Sequence, residues 1–122
     1  MNRHKKQSFD ILIGEKIVKY THPDKKDSSF SFESDKYRYD LSIDDDGPQN
    51  DSHAYINYIS NFDGILNKEI ISVNEHSESY GAEIKIDTAY STAEIDINHD
   101  HNGYYGFSYE LYRYNKQTGQ LE

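Results

Sequence analysis

A repeated segment constrains the fold of this chain more than any other sequence feature. Residues 9–18, FDILIGEKIV, align without a gap on residues 62–71, FDGILNKEII, so that aromatic, acidic and apolar positions coincide. Such a repeat indicates an internal duplication, in which the two halves of the chain fold in the same way. The segments that follow each copy should therefore form matching elements.

Each copy predicts a short helical turn followed by three strands. Ser8 and Asn61 precede the copies as candidate N-caps, and Gly14 and Asn67 are candidate left-handed residues at their ends. Apolar and polar residues then alternate, as they do in strands with one buried face. The predicted strands are residues 16–21, 28–33 and 36–43 in the first half, and 69–73, 82–87 and 93–98 in the second.

A hairpin turn is predicted at Asn102-Gly103, since a type I′ turn needs positive φ at both central residues. The turn gathers ionisable and aromatic side chains at one sheet end, and a small-molecule site is most plausible there. The last strand, residues 107–114, carries apolar bulk on both faces, which favours an interior or intermolecular position. The candidate ligand residues around the turn are His101, Asn102, Gly103, Tyr104 and Tyr105.

Length and composition predict one domain, residues 1–122, with a flexible basic tail at residues 1–7. Only 34% of the residues are hydrophobic and the net charge is −9, yet twelve tyrosines and five phenylalanines supply enough apolar area for a core. The expected fold class is α+β, mostly β, with antiparallel sheets and two short helical turns. Half-buried tyrosines also suit an interface, so a homodimer or larger homo-oligomer is expected.

Several functional classes are disfavoured by composition. The chain has no cysteine, which excludes disulfides and thiolate zinc sites, and no apolar run resembles a signal sequence or a membrane span. We therefore expect a cytoplasmic protein that contacts no membrane. With 13 basic and 22 acidic residues, the chain has the wrong overall field for nucleic-acid binding, although an acidic surface can imitate DNA.

Metal and catalytic motifs are incomplete. Residues 98–109 resemble the start of an EF-hand loop but end on a tyrosine where calcium needs a bidentate acid. His99 and His101 share one strand face, but a third metal ligand would have to come from His53 or His76, and surface histidines are the simpler interpretation. No spacing specifies a nucleophile and its base. We predict no metal, no cofactor and no catalytic residue.

The order of elements resembles the phage Thoeris anti-defence (Tad) sponges, first type, over about nine-tenths of the chain. The elements that carry the resemblance are the Leu-Ile-Gly-x-x-Ile opening at residues 12–17, the centre at 63–71 with the glutamate-rich stretch 75–79 after it, and Asn-Gly-Tyr-Tyr at 102–105. The resemblance implies non-catalytic sequestration of a cyclic ADP-ribose isomer or related cyclic nucleotide, in pockets between subunits, which antagonises bacterial anti-phage defence.

The chain also departs from the family's pattern. Family members commonly carry a basic and an aromatic residue before the final turn, where this chain has Asp96-Ile97-Asn98, and a cysteine pair before the central element, where it has residues 50–53 without cysteine. Arg113 and Arg38 are candidate phosphate contacts, because arginine pairs phosphate in a bidentate manner. The alternative function is an acidic protein-binding inhibitor, such as an immunity protein or an antagonist of a nucleic-acid enzyme. A metal-assisted enzyme is a third and weaker alternative.

Overall fold

The computed structural model describes residues 6–24, 26–45, 52–101 and 106–122. These residues are mostly β, with one 3₁₀ turn at Phe9–Leu12 and one helix, α1, at Phe62–Ile65. The predicted fold class, mostly β with two short helical turns, is confirmed. The strands are β1 (Lys6–Gln7), β2 (Lys19–Tyr20), β3 (Ser29–Glu33), β4 (Tyr37–Asp45), β5 (Ser52–Ser60), β6 (Ile70–Glu78), β7 (Gly81–Thr88), β8 (Thr92–His101) and β9 (Phe107–Asn115).

The strands form two antiparallel sheets whose orders match each other. The first sheet runs β1-β9-β4-β3-β2 and the second β5-β8-β7-β6. The strands β1, β4, β3 and β2 of the first half thus correspond to β5, β8, β7 and β6 of the second. The last strand, β9, lies between β1 and β4, so it is interior, as its two apolar faces predicted. This correspondence is what a duplicated chain with one additional strand would show.

The two helical turns meet through matching backbone hydrogen bonds. Gly14 N donates to Ile70 O at 2.8 Å, and Asn67 N donates to Ile17 O at the same distance. Gly14 has φ 90° and Asn67 has φ 62°, so both turns end in the left-handed conformation that their sequences predict. Equivalent residues of the repeat therefore face each other where the two halves join.

The predicted N-caps differ in outcome. The Ser8 side chain accepts a hydrogen bond from Asp10 N at 3.2 Å, which confirms it as an N-cap. Asn61 occupies the predicted N-cap position of α1, but it is left-handed, with φ 59°, and its side chain makes no capping bond. Its Nδ2 instead donates to Thr92 O at 3.0 Å, so the side chain ties the helical turn to β8.

The core lies between the sheets and draws on equivalent positions of the repeat. Phe9 and Phe62 are 2% and 1% exposed. Phe62 packs edge-on against Phe30 with ring centroids 5.1 Å apart, and Phe32 stacks on Tyr39 at 5.3 Å. Each large side chain so buried contributes about 1.5 to 3 kcal/mol relative to exposure. The other fully buried repeat positions are Leu12 and Ile65, and Ile17 and Ile70.

Some element boundaries differ from the sequence-based expectation. Strand β2 is only two residues long, although Lys16, in the same predicted strand, forms an isolated bridge with Glu69. Strand β5 was not predicted at all. Lys6–Gln7, the end of the predicted tail, pair with β9, while residues 1–5 lie outside the described residues. In the described part of the chain, no helix is long and apolar enough to cross a membrane.

Candidate functional site

The predicted ligand-binding turn lies mostly outside the described residues. Asn102, Gly103, Tyr104 and Tyr105 are not described, so their proposed role stays a prediction. His101, at the end of β8, is described: its Nε2 lies 3.0 Å from Ser79 O, and its ring stacks on Tyr80 at 4.6 Å.

The two candidate phosphate-binding arginines lie on opposite faces of the first sheet. Arg38 pairs across the strands with Tyr114, and the next residue, Tyr39, pairs with Arg113. Because successive strand residues point to opposite faces, Arg38 faces outward and Arg113 inward. Arg113 also lies six residues along β9 from Phe107, or about 20 Å at about 3.3 Å per residue. Within one chain, therefore, the two arginines and His101 do not form one pocket.

Both arginines already have partners. The Arg38 guanidinium lies 4.4 Å from the centroid of the Tyr114 ring and 3.2 Å from Asp40 Oδ2. The Arg113 guanidinium lies 4.4 Å from the Tyr37 centroid. Its buried Nε has no hydrogen-bond partner in the described residues. These contacts hold Arg38 on the outer face of the first sheet and Arg113 on its inner face. Each guanidinium lies over a tyrosine ring and helps to order it.

His99 is buried, so the interpretation of His99 and His101 as surface histidines is wrong for His99, whereas His101 is partly exposed. The His99 side chain is 0% exposed, because β8 turns this residue toward the core and Phe107 covers it at 4.9 Å. His99 Nδ1 and His101 Nε2 both lie near Ser79 O, at 3.1 and 3.0 Å. A carbonyl only accepts, so both nitrogens carry hydrogens and donate to it, and neither offers a lone pair to a metal.

The other residues considered for a metal site or a hydrolytic site, Ser52, His53 and His76, do not come together in one site either. Ser52 is 1% exposed, and its Oγ lies 2.8 Å from His99 Nε2 rather than against the adjacent His53. His53 stacks on Tyr55, and His76 lies 3.6 Å from Glu78. The Ser52–His99 contact is thus a buried structural link between β5 and β8.

The strongest charge feature in the described residues is a three-carboxylate cluster on the outer face of the second sheet. Glu83 on β7 and Glu94 and Asp96 on β8 place their carboxylate oxygens within 4.8 Å of one another. Glu83 lies directly opposite Asp96 in the antiparallel ladder. No ion pair among the described residues involves any of the three. We call these three residues the carboxylate cluster.

Side chains of β5 hold a row of acids on β8 in place. Tyr58 donates to Glu94 at 2.8 Å and Asn57 Nδ2 to Asp96 at 2.9 Å. Further along, the Tyr55 hydroxyl donates to Asp100 at 3.2 Å. Because alternate residues of a strand share a face about 6.6 Å apart, Glu94, Asp96 and Asp100 lie on one face, with the neutral Asn98 between the last two. Hydrogen bonding orders these acids without neutralising them.

The field of the carboxylate cluster is evident in the neighbouring tyrosine. The hydrogen bond to Glu94 raises the pKa of Tyr58 to about 12, with further contributions from burial and from the charges of Asp96, Glu94 and Glu83. A tyrosinate there would stand beside three carboxylates. The pKa of Tyr58 is raised because the nearby carboxylates disfavour its negatively charged, deprotonated form.

A shallow cavity borders the carboxylate cluster. It has a volume of about 360 Å³ and lies across β6, β7 and β8, between Glu78, Glu83 and Asp96. The cluster's oxygens are also of the type that hard divalent cations take, but three ligands are about half of the six to eight that calcium uses. The arrangement suits cationic side chains of a partner, which need only one or two oxygens each.

No protein-family model, curated protein or solved structure matches the chain. The resemblance to the Thoeris anti-defence sponges therefore stays a prediction.

The carboxylate cluster was missed by the sequence analysis, although a signal for it was present. On the outward positions of β8, Glu94, Asp96 and Asp100 are acidic and Asn98 interrupts them; on those of β7, Glu83 and Asp87 flank Lys85. A tight hairpin between these strands brings the two acidic faces together.

Proposed function

We propose that this protein is a non-catalytic inhibitor that binds a positively charged protein surface through the outer face of its second sheet. The observation that carries the proposal is the carboxylate cluster, Glu83, Glu94 and Asp96, whose charges are unpaired in the described residues. Holding like charges together costs free energy, and a cationic partner recovers it. A positively charged nucleic-acid site on a cytoplasmic enzyme is a surface of this kind.

The charge balance around the cluster supports this proposal. Lys85 is the only lysine or arginine in the sequences of β7 and β8, against five acids. The whole chain carries a net charge of −9. Such a field attracts a basic partner at long range and speeds association, and the ordered acids of β8 then pair with it at short range.

The test is competition for a nucleic-acid site. A fluorescently labelled DNA duplex is bound to each of a panel of purified basic nucleases, and its release by this protein is followed by fluorescence anisotropy. We expect release from a susceptible enzyme and much slower association at high salt, because screening removes the long-range attraction.

A matched pair of variants locates the surface. The triple variant Glu83→Gln, Glu94→Gln, Asp96→Asn should lose release, whereas the control Asp10→Asn, Asp35→Asn, Asp44→Asn should retain it. Both variants lose three negative charges, and the control positions are exposed and outside the cluster. Equal loss in both variants would mean that net charge alone acts, and retained activity in the first would exclude the carboxylate cluster.

A second candidate function is sequestration of a cyclic ADP-ribose isomer or related cyclic nucleotide by a homo-oligomer. One observation favours it: the Tyr80 ring is 61% exposed, stacks on His101 and stands beside the strand end that leads into residues 102–105. An exposed ring in this position can stack on a nucleobase, with about 1 to 3 kcal/mol per stack.

Calorimetry with cyclic ADP-ribose isomers tests this second function. Tyr80→Ala should abolish binding, whereas Tyr90→Ala, which removes another exposed ring, should leave it unchanged. Recovery of the nucleotide intact separates sequestration from catalysis. The absence of heat with every isomer would reject this candidate.

A further inference from the structure

The second sheet has one covered edge and one open edge. At the β5 edge, Ala54 N donates to Asp45 Oδ2 at 3.0 Å and Ile56 N donates to Asp27 O at 2.7 Å. At the other edge, Ile70 is bonded to Gly14 and Glu15. From residue 72 to residue 78, no described residue makes a backbone hydrogen bond to β6 other than its neighbour β7. We call residues 72–78 the open edge.

An open edge is a template for another strand, and charge is one means by which proteins control what pairs there. The open edge carries Glu75 and Glu78 and no lysine or arginine. Glu78 lies on the outer face, whereas Glu75, opposite Ile84, lies on the inner face and accepts a hydrogen bond from the Tyr109 hydroxyl at 2.8 Å. Pairing with the same edge of a second copy would bring only like charges together, which destabilises the pairing. A segment rich in lysine or arginine meets no such penalty.

We propose that an extended basic segment of the partner protein adds to the open edge as a fifth strand of the second sheet. The proposal rests on the proposed inhibitor function and specifies how the basic partner is held. Main-chain hydrogen bonds to β6 would supply affinity, and side chains would supply specificity, as in other cases of strand addition.

The acids beside the open edge lie within reach of such a strand. Neighbouring strands are about 4.8 Å apart, so the added backbone would lie about 10 Å from β7. Glu83, on β7, is directly opposite His76 of β6, and Glu78 is 74% exposed at the end of the edge. A lysine or arginine on the outward face of the added strand can extend over β6 into the 360 Å³ cavity between these acids.

The test compares two peptides of equal charge. The probe is a synthetic nine-residue peptide of alternating lysine and valine, and its control is the same peptide with the five central amides N-methylated, which removes main-chain donors but no charge. Calorimetry at low ionic strength should show binding of the first peptide and at least tenfold weaker binding of the second. Amide hydrogen exchange at residues 72–78 should slow on binding of the unmodified peptide.

The outcomes separate the two proposals. Equal affinity of the two peptides, with both weakened by Glu83→Gln, Glu94→Gln, Asp96→Asn, would overturn strand addition and leave electrostatic docking on the outer face. Failure of both peptides to bind would overturn strand addition, while the inhibitor function is decided by DNA release. Unchanged exchange at the open edge in the presence of bound peptide would also reject it.

Discussion

Replacing Glu83 by glutamine should stabilise the protein, because it removes two repulsions from the carboxylate cluster. The three carboxylate oxygens lie within 4.8 Å of one another. At that distance two unit charges in a water-like dielectric of about 80 repel by about 0.9 kcal/mol. Glu83 faces both Glu94 and Asp96, so the Glu83→Gln variant should gain about 2 kcal/mol before screening by salt. The unfolded chain holds no such cluster, so the repulsion acts mainly on the folded state.

Salt gives this prediction a distinctive signature. With a Debye length of about 10 Å at 0.1 M salt, the gain should be about 1 kcal/mol, and with about 3 Å at 1 M it should be a few tenths. Urea unfolding followed by circular dichroism measures the gain without adding ionic strength. The control Asp44→Asn removes an exposed carboxylate outside the cluster and should change stability by less than about 0.5 kcal/mol. A gain that does not shrink with salt, or no gain at all, would refute the electrostatic reasoning.

Three further predictions concern the repeat and the raised tyrosine pKa. Phe9→Ala and Phe62→Ala should each cost about 3 to 5 kcal/mol in urea unfolding, because each empties an equivalent core position; a much smaller cost at either would contradict the shared core. Asn67→Gly should preserve stability and Asn67→Ala should lower it by about 1 kcal/mol, since φ is 62°; equal stabilities would contradict a left-handed turn end. Because Tyr58 has a pKa raised from 10.0 to about 12, its contribution to stability is complete below pH 10 and falls between pH 10 and about 12, as the unfolded tyrosine loses its proton first. Tyr58→Phe should reduce that fall, and ultraviolet titration of tyrosinate should show the late ionisation in the parent.

The sequence predicted the fold where local signals decide structure. Gly14 ends its turn in the left-handed conformation because it has no Cβ, and Asn67 because its short polar side chain tolerates positive φ. The alternation predicted for β7 and β8 is present as two strands with buried inner faces. Strand β5 was missed because a register shift between Ile56 and Tyr58 interrupts its alternation. An additional residue in a strand exchanges the buried and exposed positions of the residues that follow it.

The site was less predictable than the fold because it depends on which strands meet. The alternation of β8 does place His99 on the same buried face as Ile95 and Ile97, but its contact with Ser52, 47 residues away, has no local signal. The carboxylate cluster depends on the register of β7 against β8, which the turn between them sets. The sequence shows the acidic residues, but it does not show that three of their carboxylates lie within 4.8 Å of one another.

The duplicated architecture shows that the fold itself does not require the carboxylate cluster. In the first half, the strands corresponding to β7 and β8 are β3 and β4, and the pair that corresponds to Glu83 and Asp96 is Ser29 and Ser42, which also lie directly opposite each other. Two small hydroxyl side chains therefore serve the same cross-strand position in the first sheet without repulsion.

The position of Glu94 shows the same difference between the halves. Its counterpart in the first half is Asp40, which pairs with Arg38 at 3.2 Å. The residue corresponding to Arg38 is Thr92, whose hydroxyl donates to Asp87 instead. The second half has Lys85 opposite Glu94 where the first has Ser31 opposite Asp40, but no described residue forms an ion pair with Glu94. The first sheet forms with Ser29 and Ser42 at the positions of Glu83 and Asp96. The fold of the second sheet therefore does not require acidic residues at those positions. The carboxylate cluster is therefore consistent with the proposed inhibitor function, in which a partner's positive charge would offset the repulsion.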